Sequence, residues 1–220
     1  VNAPFVDANG QTNGKTNGEV YKVKPGNSKY VDVNKDGVYN DADQGIIGCG
    51  QPTFNWGWNN TFNYKNFDFS FFVVGFHGFD IYNATHQMGY NLIKSQQMAG
   101  VTPMRELLNR WTPTNTNTDI PGFVKGGTEN KDFFSTRFVE NGSFIKMKSI
   151  TLGYTLPEAT CRSLGINNLR VYASVQNPFH ITKYSGLDPE ATMGSPLVQG
   201  VDWGAYPNSR NYLIGLNFSF

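Results

Sequence analysis

The sequence predicts an all-β chain, a run of antiparallel strands from a transmembrane barrel, on three observations. First, the last eleven residues alternate: Tyr212, Ile214, Leu216, Phe218 and Phe220 share one parity, Asn211, Gly215, Asn217 and Ser219 the other, and only Leu213 breaks the pattern. A period of two gives a strand one apolar and one polar face. Second, the 220-residue chain is 15% aromatic yet has a mean hydropathy of −0.42. Lipid-facing strands joined by polar loops reconcile those values, because only alternate strand residues meet hydrocarbon. Third, alternating segments of about 9–11 residues, the length that crosses a bilayer when tilted, recur along the chain, and no run of ~18 apolar residues offers a membrane helix.

Charge is sparse, 16% of residues with a net +1, so no strong field favours nucleic acid or an acidic partner. The two cysteines, Cys49 and Cys161, are too few for a disulfide framework and lack metal-site spacing. No signal peptide is visible at Val1, and the chain opens in a polar Asn/Gly/Thr stretch, which predicts that more of the protein lies upstream.

Residues 1–51 read as loop, with a short extended piece expected at 19–23. Within them, residues 32–43 match a calcium-binding loop: Asp32, Asn34 and Asp36 at positions one, three and five, Gly37 at the sharp turn, the Val38 carbonyl at seven, Asn40 at nine and Asp43 at twelve. Calcium is a hard cation, and this spacing wraps oxygens around one point. Asp43 replaces the usual Glu and the flanking helices are missing, so an Asx-rich turn that binds nothing is the competing reading.

Residues 52–220 carry the strands. Phe54, Trp56, Trp58, Phe62 and Tyr64 alternate with polar residues; Lys65 and Asn66 form a two-residue turn; Phe67, Phe69, Phe71 and Val73 follow on the return strand, less cleanly at Phe72 and Val74. Residues 78–142 read as a long loop with a short helix within 80–97 and a second over 104–111. In the third strand, 143–156, Ile145 and Met147 share one parity and Ile150, Leu152 and Tyr154 the other, so a β-bulge is expected at Lys148-Ser149. A short turn with one helical turn covers 157–166. The fourth strand sets Leu169, Val171, Ala173 and Val175 against Arg170, Tyr172, Ser174 and Gln176, and 184–209 is a second long polar loop before the closing strand.

Short and long connections alternate as they do in outer-membrane barrels, which places the short turns in the periplasm and the long loops, with the calcium-type loop, outside the cell. Cys49 and Cys161 then sit at opposite ends of the apolar band, beyond disulfide reach. About five strands cannot close a barrel, and open edges do not survive in lipid, so the remaining strands are expected upstream.

Several stretches together resemble the carboxy-terminal part of the SusC/RagA-type TonB-linked outer-membrane transporters: Asp32-Val33-Asn34-Lys35-Asp36-Gly37, Phe67-Asp68-Phe69-Ser70-Phe71-Phe72, Asp80-Ile81-Tyr82-Asn83-Ala84, and Arg137 through Lys148 running into Thr151-Leu152-Gly153-Tyr154-Thr155-Leu156-Pro157. Leu169-Arg170-Val171-Tyr172, Gln176-Asn177, Thr182 through Gly186 and Asp188-Pro189-Glu190 continue the likeness in order, with departures at Cys49-Gly50 and Pro178-Phe179-His180. The resemblance implies a 22-stranded barrel with an upstream plug, importing oligosaccharides or peptides, paired with a SusD-like surface lipoprotein and driven by TonB through a segment upstream of this chain. The expected lipid-facing set is Phe54, Trp56, Trp58, Phe62, Phe67, Phe69, Phe71, Ile150, Leu152, Tyr154, Val171, Val175, Tyr212, Ile214, Leu216, Phe218 and Phe220.

Outer-loop aromatics Trp111, Trp203 and Tyr206 are candidate platforms for a substrate ring, or equally packing and partner contacts. His77, His86 and His180 are scattered, and Asp188 with Glu190 reads as a pair of solvated loop acids rather than a glycosidase dyad. No nucleophile, base or metal constellation points to an enzyme, and calcium is the only cofactor expected. The competing architecture is a secreted, calcium-stabilised β-sandwich that binds glycans.

Overall fold

The computed structural model describes residues 4–6, 12–16, 25–28, 30–36, 41–90, 103–122, 134–193 and 198–220. Its contacts divide the chain into two compact units, Val1–Ile47 with Ala84–Phe138, and Gly48–Asn83 with Val139–Phe220.

The first unit holds a small antiparallel pair, β1 (Pro4–Val6) with β2 (Thr12–Thr16), and short helical pieces. The extended piece expected at 19–23 lies outside the described residues. The helix expected within 80–97 starts only at Ala84 and is described to Tyr90. The one expected over 104–111 tightens to a 3₁₀ turn at Arg105–Asn109, whose first residues receive no side-chain cap. Tyr90 and His86, one turn apart on the helix, both bond Glu106, and the Arg137 guanidinium lies over the Tyr90 ring.

In the second unit the strands β3 (Phe54–Tyr64), β4 (Phe67–His77), β7 (Phe144–Thr155), β8 (Asn168–Thr182) and β10 (Asn211–Ser219) form one antiparallel sheet in the order β10, β8, β7, β4, β3. The β3–β4 turn is the expected pair: Lys65 takes the left-handed conformation at φ 52°, and the Asn66 amide donates to the Thr155 carbonyl at 2.7 Å. Pairing in β7 skips Lys148, as the parity change requires: Phe72 faces Ser149 and Val73 faces Met147. That extra residue brings Ile150, Leu152 and Tyr154 onto the same face as Phe71, Phe69 and Phe67. A short helix, Glu158–Ser163, fills the β7–β8 connection.

Directly paired residues share a face, so the register lays apolar rows across the sheet. One row is Phe62, Phe69, Leu152, Ala173 and Ile214; the next on one side is Phe67, Tyr154, Val171 and Leu216, and on the other Phe71, Ile150, Val175 and Tyr212. Phe54, Trp58, Phe62, Phe67, Tyr212, Ile214, Leu216 and Phe218 are each more than half exposed. A sandwich would bury these rings under a second layer. Trp56 is half-buried because its indole lies over Gly75.

The long loops are not plain loops. Asp80–Asn83, expected inside a helix, is strand β5; it pairs antiparallel with β6 (Val139–Asn141) and parallel with β9 (Val201–Asp202). Such short strands from three distant segments carry no local alternation for a sequence to display. Ile81, Phe79 and Tyr184 pack with Val74, Phe76 and Phe144 into a core. Val74, Phe76 and Phe144 carry the polar-face parity, so the cap covers Val74, one of the two residues that blurred the alternation of β4, while Phe72 stays exposed.

Candidate functional site

The face opposite the aromatic rows is mainly amides and hydroxyls, with Phe72 and Leu213 among them. Asn59, Phe72, Ser149, Gln176 and Asn211 form one row; Thr61, Ser70, Thr151, Ser174 and Leu213 the next; Asn63, Asp68, Gly153, Tyr172 and Gly215 the third. Thr151 and Ser174 hydroxyls bond across β7 and β8 at 2.8 Å. Near the β3–β4 turn, the Arg170 guanidinium on β8 reaches over β7 to Asp68 on β4, with Nε to Oδ1 at 2.9 Å, and lies 5.0 Å from the Tyr172 ring centre. It passes above Gly153, where any Cβ would collide with both charged groups. Gly153→Val is therefore expected to part the pair and destabilise the sheet by about 1–3 kcal/mol, the usual cost of overpacking. A urea midpoint lower than that of Arg170→Ala, which removes the bridge without the clash, would check it.

At the other end of the same face, Lys146 on β7 is buried, 2% exposed. Its Nζ donates to Asp188 Oδ2 at 2.8 Å and to Glu190 Oε2 at 2.7 Å. Lys148, the bulge residue, bonds the other Glu190 oxygen. Asn208 closes the node: its backbone N–H and side-chain amide both donate to Asp188 Oδ2 at 3.1 Å, and the amide reaches Glu190 Oε2 at 3.0 Å. Asp188 and Glu190 are thus not the solvated acids the sequence suggests. Burial alone would raise both carboxyls; the Lys146 hydrogen bonds and charge, joined by Asn208 for Asp188 and Lys148 for Glu190, hold both below their ordinary values. Close by in the chain, Tyr184 donates to the buried Asp202, and burial followed by that carboxylate pushes the phenol well above its usual range. Nothing local in the sequence joins Lys146 to acids more than forty residues away; only the lysine's polar-face parity hints at the role.

At the calcium-type loop, Asp32 and Asp43 are both buried, and Asp43 Oδ1 accepts the Val33 N–H at 2.9 Å, drawing the loop's ends together. Asn34 Oδ1 accepts the Asp36 N–H at 3.0 Å, and Lys35 is left-handed at φ 57°. Gly37, Val38 and Asn40 lie outside the described residues. Among the described residues no three His, Cys, Asp or Glu side chains gather closely enough to hold a metal by themselves. Among the described residues of this loop Asp32, Asn34, Asp36 and Asp43 carry side-chain oxygens, the donor type a hard cation takes.

Of the ring candidates, Trp111 is half-buried against Gly26 and Gly122, whereas Trp203 and Tyr206 are 58% and 89% exposed. Asp202 Oδ1 accepts the Gly204 and Ala205 N–H groups at 2.8 and 3.0 Å, which fixes the turn carrying Trp203. His77 stacks on Phe54, His86 meets Tyr90 and Phe138, and His180 is exposed beside Lys146 in the register. Both cysteines are free thiols.

No protein-family model matches the chain. TonB-dependent receptor P3 of Formosa agariphila is 36% identical over 202 residues, covering 89% of this chain and 19% of that protein. TonB-dependent receptor SusC of Bacteroides thetaiotaomicron is 32% identical over 199 residues, 90% of this chain and 18% of that protein. Among solved structures, the RagAB peptide importer in its closed-closed state aligns with a TM-score of 0.67 at 26% identity, over 98% of this chain and 20% of that one. The chain spans about a fifth of the length of the relatives it matches. Two-faced strands, polar cap and relatives agree: this chain belongs to the SusC/RagA-type family of TonB-dependent outer-membrane receptors.

Proposed function

We propose that the full-length protein is an active nutrient importer of the outer membrane of a Gram-negative bacterium, moving an oligosaccharide or peptide inward on energy delivered through TonB and working with a SusD-like surface lipoprotein. The observation that carries this reading is the two-faced sheet. On one side the five strands present aromatic and aliphatic rows, interrupted at Asn60, and on the other mainly amides, hydroxyls and internally paired charges. The first side suits hydrocarbon and the second a watery passage. The strands outside this chain would close a 22-stranded barrel, with residues 54–64, 67–77, 144–155, 168–182 and 211–219 as its carboxy-terminal wall and the long segments facing outward. Trp203 and Tyr206 offer open ring surface for a substrate. The chemistry is passage rather than bond-breaking, so no catalytic group is assigned.

The test is to purify the full-length protein from outer membranes in detergent, identify the co-purified ligand by mass spectrometry, and measure its uptake by cells with and without the gene and with and without TonB. Uptake is expected to vanish in both deletions. Freely soluble protein, or uptake indifferent to TonB, would overturn the reading.

Residues 32–43 are proposed to bind calcium through Asp32, Asn34, Asp36, the Val38 carbonyl, Asn40 and Asp43. Affinity in the range of about 10⁻⁴–10⁻³ M would suffice outside a cell. Terbium luminescence competed by calcium should titrate in the parent and be lost in Asp36→Ala; an Asp36→Ala titration equal to the parent's would dismiss the site.

A further inference from the structure

We propose that Asn60 is one half of a hydrogen-bonded pair inside the membrane, and that the other half is a hydroxyl- or amide-bearing side chain on the strand that flanks β3 in the full-length barrel. Asn60 lies near the middle of β3 and pairs directly with Phe71 on β4. That register sets it on the aromatic face, the only amide in the row of Phe71, Ile150, Val175 and Tyr212. On either side of it along β3 stand Trp58 and Phe62, 55% and 54% exposed. The Phe71 ring meets both, with centroids 5.1 and 6.3 Å away. Asn60 is half-buried between these rings, and its side-chain amide bonds none of the described residues.

An amide left unpaired in hydrocarbon is costly, because nothing there replaces the hydrogen bonds it makes to water. A polar side chain held at that depth therefore points to a partner. The rings around Asn60 decide which one. Trp58 and Phe62 are longer than the amide between them, so the flank of another barrel would meet the rings first. β3 is an edge of this chain's sheet and is bonded to β4 on one side only. On its other side the next strand of a barrel runs about 4.8 Å away. The residue paired with Asn60 there would hold its Cβ within about 5.5 Å on the same face, inside an amide's reach. A slip of one residue between the two strands would bring a residue of the opposite face beside Asn60 and leave the amide unpaired in lipid, so the pair also marks the register of this seam. The inference rests on the barrel reading proposed above.

The test exchanges Asn60 for two side chains of one shape in the full-length protein, refolded into lipid vesicles and titrated with urea. Asn60→Thr keeps a hydroxyl that can bond the partner, and Asn60→Val puts a methyl in its place. With the pair present, the folding constant of Asn60→Thr should exceed that of Asn60→Val by about tenfold, since valine strands the partner's polar group. In plain lipid the order reverses, because a methyl suits hydrocarbon better than a hydroxyl. Asn60→Val as stable as Asn60→Thr, or more so, would overturn the pair. Repeating the titrations at a lower protein-to-lipid ratio separates the sources. A preference for threonine that fades on dilution would place the partner on a second molecule and overturn the assignment to the flanking strand; a constant preference upholds it. If neither variant refolds, their amounts in the outer-membrane fraction of cells decide by the same order. Ile214→Arg, measured alongside, tests the lipid-facing reading by itself. Tolerance there rejects the barrel, whereas intolerance there with Asn60→Val the more stable variant rejects the pair alone.

Discussion

Ile214→Arg is expected to destabilise the full-length barrel by about 2–4 kcal/mol, the cost of a basic side chain on the lipid face near mid-bilayer. Ile214 lies near the middle of β10, in the row with Phe62, Phe69, Leu152 and Ala173, and is 86% exposed. That exposure makes the experiment decisive. If water covered Ile214, the same change would be an exposed surface substitution, usually within about 0.5 kcal/mol. Asn211→Arg is the internal control, because Asn211 is exposed on the opposite parity of the same strand, opposite the neutral Gln176, and should tolerate a charge facing the polar side. Urea titrations of protein refolded into lipid vesicles give both free energies, and the outer-membrane fraction of each variant gives a cellular counterpart. Equal costs at the two positions would remove the basis for reading the aromatic rows as lipid-facing.

Period-two patterning made the strands legible because each buries or exposes one face along its whole length. The edges of β3 and β4 coincide with the expected turn at 65–66, and the bulge at Lys148 was readable because a parity change in one strand has few other remedies. The cap on the polar face was not readable. Its strands have only two to four residues each and come from segments far apart in the chain, so no periodicity builds up. Asp188 and Glu190 looked like loop acids for the same reason: what buries them is Lys146, whose place is fixed only once β7 has its register. The Asp68 to Arg170 bridge was likewise invisible, since it needs the glycine of an intervening strand beneath it.

Lys146→Met should be the most damaging change in the chain outside the lipid face, at about 3–5 kcal/mol, because it strands two buried carboxylates. Lys148→Met removes only the half-exposed partner of Glu190, and should cost no more than about 1 kcal/mol. The contrast follows from burial: Lys146 and Asp188 side chains are each 3% exposed, against 29% for Lys148. The pH dependence has a definite sign. Asp188 and Glu190 sit below their ordinary values of 3.8 and 4.5 in the folded protein, so folding binds fewer protons than the unfolded chain does. Their stabilisation is therefore complete above those values and drains away as the pH falls through them toward the folded ones. In the parent, urea midpoints should hold steady from about pH 7 to 5 and drop below about pH 4. In Lys146→Met the depression shrinks, since burial still opposes the charged form while its main counterweight is gone. The variant should start lower and lose less on acidification, so the two curves converge in acid. Parallel curves would mean that the lysine stabilises by packing alone and that its charge does not hold the acids.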